Sequence, residues 1–203
     1  GYTTEQGSGQ RLARWSKRDA RGEQTLFYKI EAIADPGYEV PQTKPSAIPD
    51  VVWEEPYLTA AETVLNAVLP QTADGYTLAR QLLQRMNTEP LDQNMSLLLQ
   101  EWPLPRLLPR MLQTAGFNAR TVAVLDLQDQ RRRQSLRELA QVWDNKSWRL
   151  MDPKDEERNN NKNLLLWQTG QPGVLEIIGG RDSKVLFSMI SQRRSSLSLV
   201  DEG

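Results

Sequence analysis

The sequence predicts an α+β domain in which helices pack on an antiparallel sheet. Three observations predict it. Leu104, Leu107, Leu108, Met111, Leu112 and Ala115 follow the i, i+3, i+4, i+7 spacing of a helix with one buried face. Gly116 comes next, at the place of a helix C-cap glycine, where the left-handed conformation carries no Cβ strain. Short runs of strand composition then follow at 118–127, 136–143 and 148–151, with turn residues between them.

In chain order, residues 1–22 are rich in Gly, Ser, Gln and charge and read as a leader or linker. A short basic helix is expected around Arg11 to Arg18. Gln24 to Ala34 has the β-branched and aromatic content of a strand, ended by Asp35-Pro36-Gly37. Pro41, Pro45, Pro49 and Pro56 exclude regular helix and predict an irregular connection. Thr59 with Glu62 forms a capping-box pattern, and Ala61, Val64, Leu65, Val68 and Leu69 give the buried face of a first helix. A second helix is expected from Asp74 to Met86 and a short third over Leu91 to Leu99.

Pro103 and Pro105 suit the first turn of the central helix, where no backbone donor is lost. Pro109 is harder to place, because it removes an interior hydrogen bond. Arg131, Arg132 and Arg133 read as a solvated turn, Asp144 to Ser147 as a tight turn, and Lys154 to Asn163 as an exposed loop. Val174 to Ile178 and Lys184 to Ile190 flank Gly179-Gly180 as a hairpin, and residues 193–203 read as an exit linker.

Composition excludes several function classes. The hydrophobic share of 38% supports a core and argues against disorder. A formal net charge of −1 gives no reason to expect nucleic acid as a partner. No apolar run is long enough to span a bilayer. The chain has no Cys and no His, so disulfides, thiolate metal sites and imidazole ligands are all absent. No metal site and no cofactor are expected.

The stretches LLQTAGFNARTV and VWDNKSWRLMDP resemble the transglutaminase-like family, which has a papain-like fold. The resemblance places a nucleophilic Cys at the start of the central helix, a His on the following strand and an Asp just before a Pro. Its spacing puts the Cys position at or next to Glu101, with Gln100 and Trp102 as the alternatives, the His position at or next to Arg137, with Glu138 as the alternative, and the Asp position at Asp152. Cys–His chemistry needs a thiolate nucleophile and an imidazole base, and neither exists in this chain. The chain therefore reads as a pseudoenzyme, with Glu101, Arg137 and Asp152 as degenerate triad positions.

The tail LLLWQTGQPGVLEIIGGRDSKVLFSMIS resembles bacterial membrane proteins in which an inactive transglutaminase is fused to seven transmembrane helices. The resemblance spans residues 23–192 and implies a periplasmic domain of an inner-membrane protein, joined to a membrane domain outside this sequence. It also implies association with ATP-grasp peptide-ligase systems, so a peptide-like ligand or a protein partner is expected.

Trp102, Trp143 and Trp148 are the candidate lining of a ligand cleft, since aromatics line peptide and sugar sites. Packing is the commoner fate of Trp, and Trp102 stands out because it borders the degenerate Cys position. A glutamate at a helix N-terminus can use the field that stabilises a thiolate, so Glu101, Arg137 and Asp152 are expected to form one charge cluster. Two other readings stay open. One is an enzyme with carboxylate chemistry relocated to Glu101 and Asp152. The other is a purely structural domain that packs on its own transmembrane bundle.

Overall fold

The computed structural model describes residues 2–7, 10–27, 45, 47–126, 133–153, 164–169, 178–179 and 186–188. The chain divides into two units, Gly1–Pro41 and Gln42–Gly203. In the first unit, β1 (Tyr2–Gly7) pairs antiparallel with β2 (Gln10–Trp15), with Tyr2 opposite Trp15. This corrects the short basic helix expected around Arg11 to Arg18, where the chain forms a strand instead. The segment was misjudged from its polarity, although Tyr2-Thr3-Thr4 and Leu12 to Trp15 carry strand-forming residues. Residues 16–27 form no helix or strand. Most of the strand expected over Gln24 to Ala34 lies outside the described residues.

The second unit has a helical layer on one sheet. Its helices are α1 (Tyr57–Val68), α2 (Gly75–Asn87), α3 (Gln93–Glu101) and α4 (Leu104–Thr114), with a 3-10 turn at Leu69–Gln71. The sheet contains β3 (Ala119–Asp126), β4 (Ser135–Trp143), β5 (Trp148–Met151) and β6 (Leu164–Thr169), in spatial order β5-β4-β3-β6. Every pairing is antiparallel. The architecture is α+β.

Helix α4 anchors this unit. Leu107, Leu108, Met111 and Leu112 are all at 0% exposure, each worth about 1.5–3 kcal/mol of burial. They pack on β3 and β4, on Leu78, Leu82 and Leu83 of α2, and on Met95 and Leu98 of α3. Pro109 lies inside α4 and supplies no donor to the Pro105 carbonyl one turn back. The Thr121 hydroxyl of β3 donates to that carbonyl instead, at 3.1 Å. The sheet thus supplies the bond that the proline removed.

The end of α4 follows from Gly116, whose φ is +83°. The Phe117 N–H donates to the Leu112 carbonyl and the Gly116 N–H to the Gln113 carbonyl, both at 2.9 Å. Together they form the paired bonds of a Schellman cap. The Phe117 ring then lies on the backbone of Gly75, at the start of α2. A Cβ there would come within 2.9 Å of the ring, so this contact needs glycine.

Aspartates set the starts of α2 and α3. Asp74 accepts from the Thr77 N–H at 2.7 Å, and Asp92 from the Met95 N–H at 2.9 Å. The capping box expected at Thr59 is not the start of α1. That helix begins at Tyr57, and the Glu55 carboxylate accepts from the Thr59 hydroxyl at 2.9 Å.

Alternation along the strands gives the sheet two distinct faces. Ala119, Ala140, Val142 and Met151 join the helix-side core. Val122, Val124 and Leu139 form a second small core on the opposite face, with Leu150 and Leu164 packed against it. The expected hairpin over Val174 to Ile190, the loop 154–163 and the linker 193–203 lie largely or wholly outside the described residues. β6 was not anticipated: it returns to pair with β3 rather than with its chain neighbour β5.

Candidate functional site

Two separate groups of residues hold the candidate positions, one in the helical layer and one on the far face of the sheet. The first surrounds the α3–α4 junction. Trp102 stands edge to face with Trp53 at 5.2 Å and with Tyr57 at 4.9 Å between ring centroids. The Arg110 guanidinium lies 4.5 Å from the Trp53 ring and 4.8 Å from the Trp102 ring. It also donates to the Val52 carbonyl, while its Nε is buried without a partner. Burial pushes the Arg110 pKa below its ordinary value. Trp53 donates its indole N–H to the Thr114 hydroxyl at 2.8 Å. These contacts strap the irregular segment around Val52 and Trp53 onto α4.

Glu101 belongs to this group. Its carboxylate accepts from the Tyr57 hydroxyl at 3.2 Å. Desolvation, then the charge of Glu101, raises the pKa of Tyr57.

The second group lies on the sheet. Arg137 donates one η nitrogen to both oxygens of Asp152, at 2.9 and 3.0 Å. Its other η nitrogen is 3.6 Å from Asp126. The Asp152 side chain is 6% exposed, Arg137 24% and Asp126 21%. The structure therefore brings Arg137 and Asp152 together but leaves Glu101 out, and the predicted Glu101–Arg137–Asp152 cluster is corrected to Asp126–Arg137–Asp152.

The reason is strand alternation. Arg137 lies opposite Val124, and Leu139 lies opposite Val122, so Arg137 sits on the face turned away from the helices. Met151 pairs with Ala140 on the helix side, so Asp152 falls on the far side with Arg137. Glu138, one residue along, points to the helices. It receives a two-pronged ion pair from Arg106 in the first turn of α4, at 2.9 and 2.8 Å. That bond raises the Arg106 pKa. A shift of one residue on a strand exchanges the faces, and the sequence spacing cannot resolve it.

The three candidate cleft tryptophans do not form one group. Trp102 belongs to the helical cluster above. Trp143, buried at 8% exposure, meets Trp148 edge to face at 5.6 Å across the β4–β5 turn. Arg120, which sequence reasoning did not single out, lies 3.8 Å above the Trp148 ring and donates Nε to the Gln141 side-chain carbonyl at 2.9 Å. Its place at the end of the AGFNAR run, at the start of β3, was the available signal. Among the described residues, no group of three or more acidic side chains could hold a metal ion.

The fold and this site define an α+β domain in which an arginine–glutamate pair joins the start of the central helix to the second strand of the sheet. The chain has neither the thiol nor the imidazole of the transglutaminase mechanism. It belongs to the family described as inactive transglutaminase fused to 7 transmembrane helices, whose model matches residues 1–102. The match takes in the N-terminal hairpin and α1 to α3 and ends at Trp102, so AGFNAR and WRLMDP lie beyond it. No curated protein and no solved structure matches the chain. The family is one of membrane proteins; among the described residues no helix is long and apolar enough to cross a membrane.

Proposed function

We propose that this chain is a non-catalytic, extracytoplasmic binding or sensing domain of a bacterial inner-membrane protein, and that it recognises a peptide-like ligand or a protein partner. What carries the reading is the Arg106–Glu138 pair. It ties the first turn of α4 to β4, and neither side chain can supply the thiolate or the imidazole that transglutaminase chemistry needs. Half-buried aromatic side chains beside charged groups, Trp102 with Glu101 and Trp148 with Arg120, favour recognition over a purely structural role.

Relocated carboxylate catalysis is disfavoured. Glu101 is engaged by Tyr57 in the helical layer, and Asp152 is engaged by Arg137 on the far face of the sheet. The two carboxylates do not face one another across a shared site.

Two measurements test the reading. An alkaline phosphatase reporter fused after this domain in the full-length protein is expected to be active, as it is only outside the cytoplasm; an inactive reporter places the domain in the cytoplasm and refutes the location. Titration of the chain with short soluble peptides, followed by tryptophan fluorescence, is expected to give a saturable change. A flat response across peptides of every charge type removes the peptide-like ligand.

A further inference from the structure

Arg120 has an unusual set of partners. Its Nε is committed to Gln141, which is itself only 8% exposed, and its planar face is committed to Trp148. Among the described residues no carboxylate pairs with it, and its η nitrogens have no hydrogen-bond acceptor. Burial alone pushes its pKa down. Arg110 offers a contrast, because its guanidinium lies against two tryptophan rings and an η nitrogen already serves the Val52 carbonyl. Arg106 and Arg137 each have carboxylate partners.

A half-buried guanidinium without a counter-ion is costly in isolation, and its free fork matches the two oxygens of a carboxylate. Stacking on Trp148 and the bond to Gln141 fix the direction of that fork, so little orientational freedom is lost on binding. The buried Trp143 stands edge to face with Trp148 and fixes the ring on which Arg120 stacks.

We propose that Arg120 receives a carboxylate of a peptide-like ligand on the sheet face turned away from the helices, with Gln141 and Trp148 as positioning residues. This deepens the binding reading above and rests on it.

The test uses the chain labelled with 15N at arginine and at the tryptophan indoles, observed by NMR. The probes are trialanine with a free C-terminus, trialanine amide and inorganic phosphate. The free acid is expected to shift the Arg120 Nε–Hε resonance saturably, and the amide is not. The variants are read at the Trp148 indole N–H: Arg120→Met is expected to abolish its shift on adding the free acid. Gln141→Leu and Arg120→Lys are each expected to weaken it by about tenfold or more, since each degrades a charge-assisted, two-pronged contact. Thermal unfolding of each variant checks that it folds, and Arg120→Lys decides if Arg120→Met does not. Equal binding of acid and amide overturns the carboxylate assignment, as does an unchanged affinity in Arg120→Lys. A response to phosphate but not to trialanine also overturns it. If trialanine shifts the Trp102 indole and leaves Arg120 unmoved, peptide binding stands and this site falls. If no probe shifts any resonance, the site falls together with the peptide-like ligand.

Discussion

Replacing Arg137 with Met removes a guanidinium that serves two carboxylates and leaves Asp152, with its side chain 6% exposed, short of its main cation. Breaking a deeply buried pair by deleting one partner costs about 3–5 kcal/mol. Arg137 is 24% exposed, so solvent screens part of the loss, and we expect about 2–3 kcal/mol. Asp126 contributes less, because it lies farther away at 3.6 Å. At a urea m-value of about 2 kcal/mol per molar, the unfolding midpoint drops by about 1–1.5 M. Urea unfolding followed by fluorescence at Trp143 and Trp148 measures it, with an unchanged m-value as the control. The Arg137→Met/Asp152→Leu double variant removes both charges and should be more stable than Arg137→Met alone. A loss below about 0.5 kcal/mol for Arg137→Met, or a double variant equal to the sum of the singles, refutes the view that Asp152 depends on Arg137.

Thr121→Val should cost about 1–3 kcal/mol in chemical denaturation, since the Pro105 carbonyl then loses the donor that stands in for the N–H missing at Pro109; a loss within error means water replaces the hydroxyl. Gly116→Ala should cost about 1–2 kcal/mol through its positive φ alone, because the added methyl meets no atom within 4 Å; an unchanged thermal midpoint would show that α4 can end differently. The Asp144 carboxyl is held below the usual carboxylate range, first by the Ser147 N–H, with help from the Lys146 N–H and Arg149. A depressed folded-state pKa gives stability that is present above the unfolded value of about 3.9 and is lost as pH falls through the folded value. Urea midpoints should therefore fall more steeply with acid below about pH 4 in the parent chain than in Asp144→Asn; parallel curves would refute the assignment.

Element types were legible wherever the apolar period was long. The α4 stripe from Leu104 to Ala115 and the strand over Trp148 to Met151 needed only spacing and turn residues. β6 was missed because Leu164, Leu165 and Leu166 run on without alternation, and their pairing to β3 is a long-range choice that no local signal records. The N-terminal hairpin was missed because its composition is polar. At the site, residue types were readable but strand parity was not. One step along β4 exchanges Arg137 for Glu138, and with it the far face of the sheet for the face that meets α4. Arg120 was hidden for a different reason: what sets it apart is that no carboxylate among the described residues pairs with it, which only the fold reveals.

The central claim is that this is a binding domain that does no amide chemistry. The most direct measurement is a combined assay of the purified chain for peptide hydrolysis and for amine incorporation into a glutamine-containing peptide, followed by mass spectrometry. The account predicts product formation no faster than in a protein-free blank. Turnover that survives a second purification and falls in a Glu101→Gln or Asp152→Asn variant would contradict it.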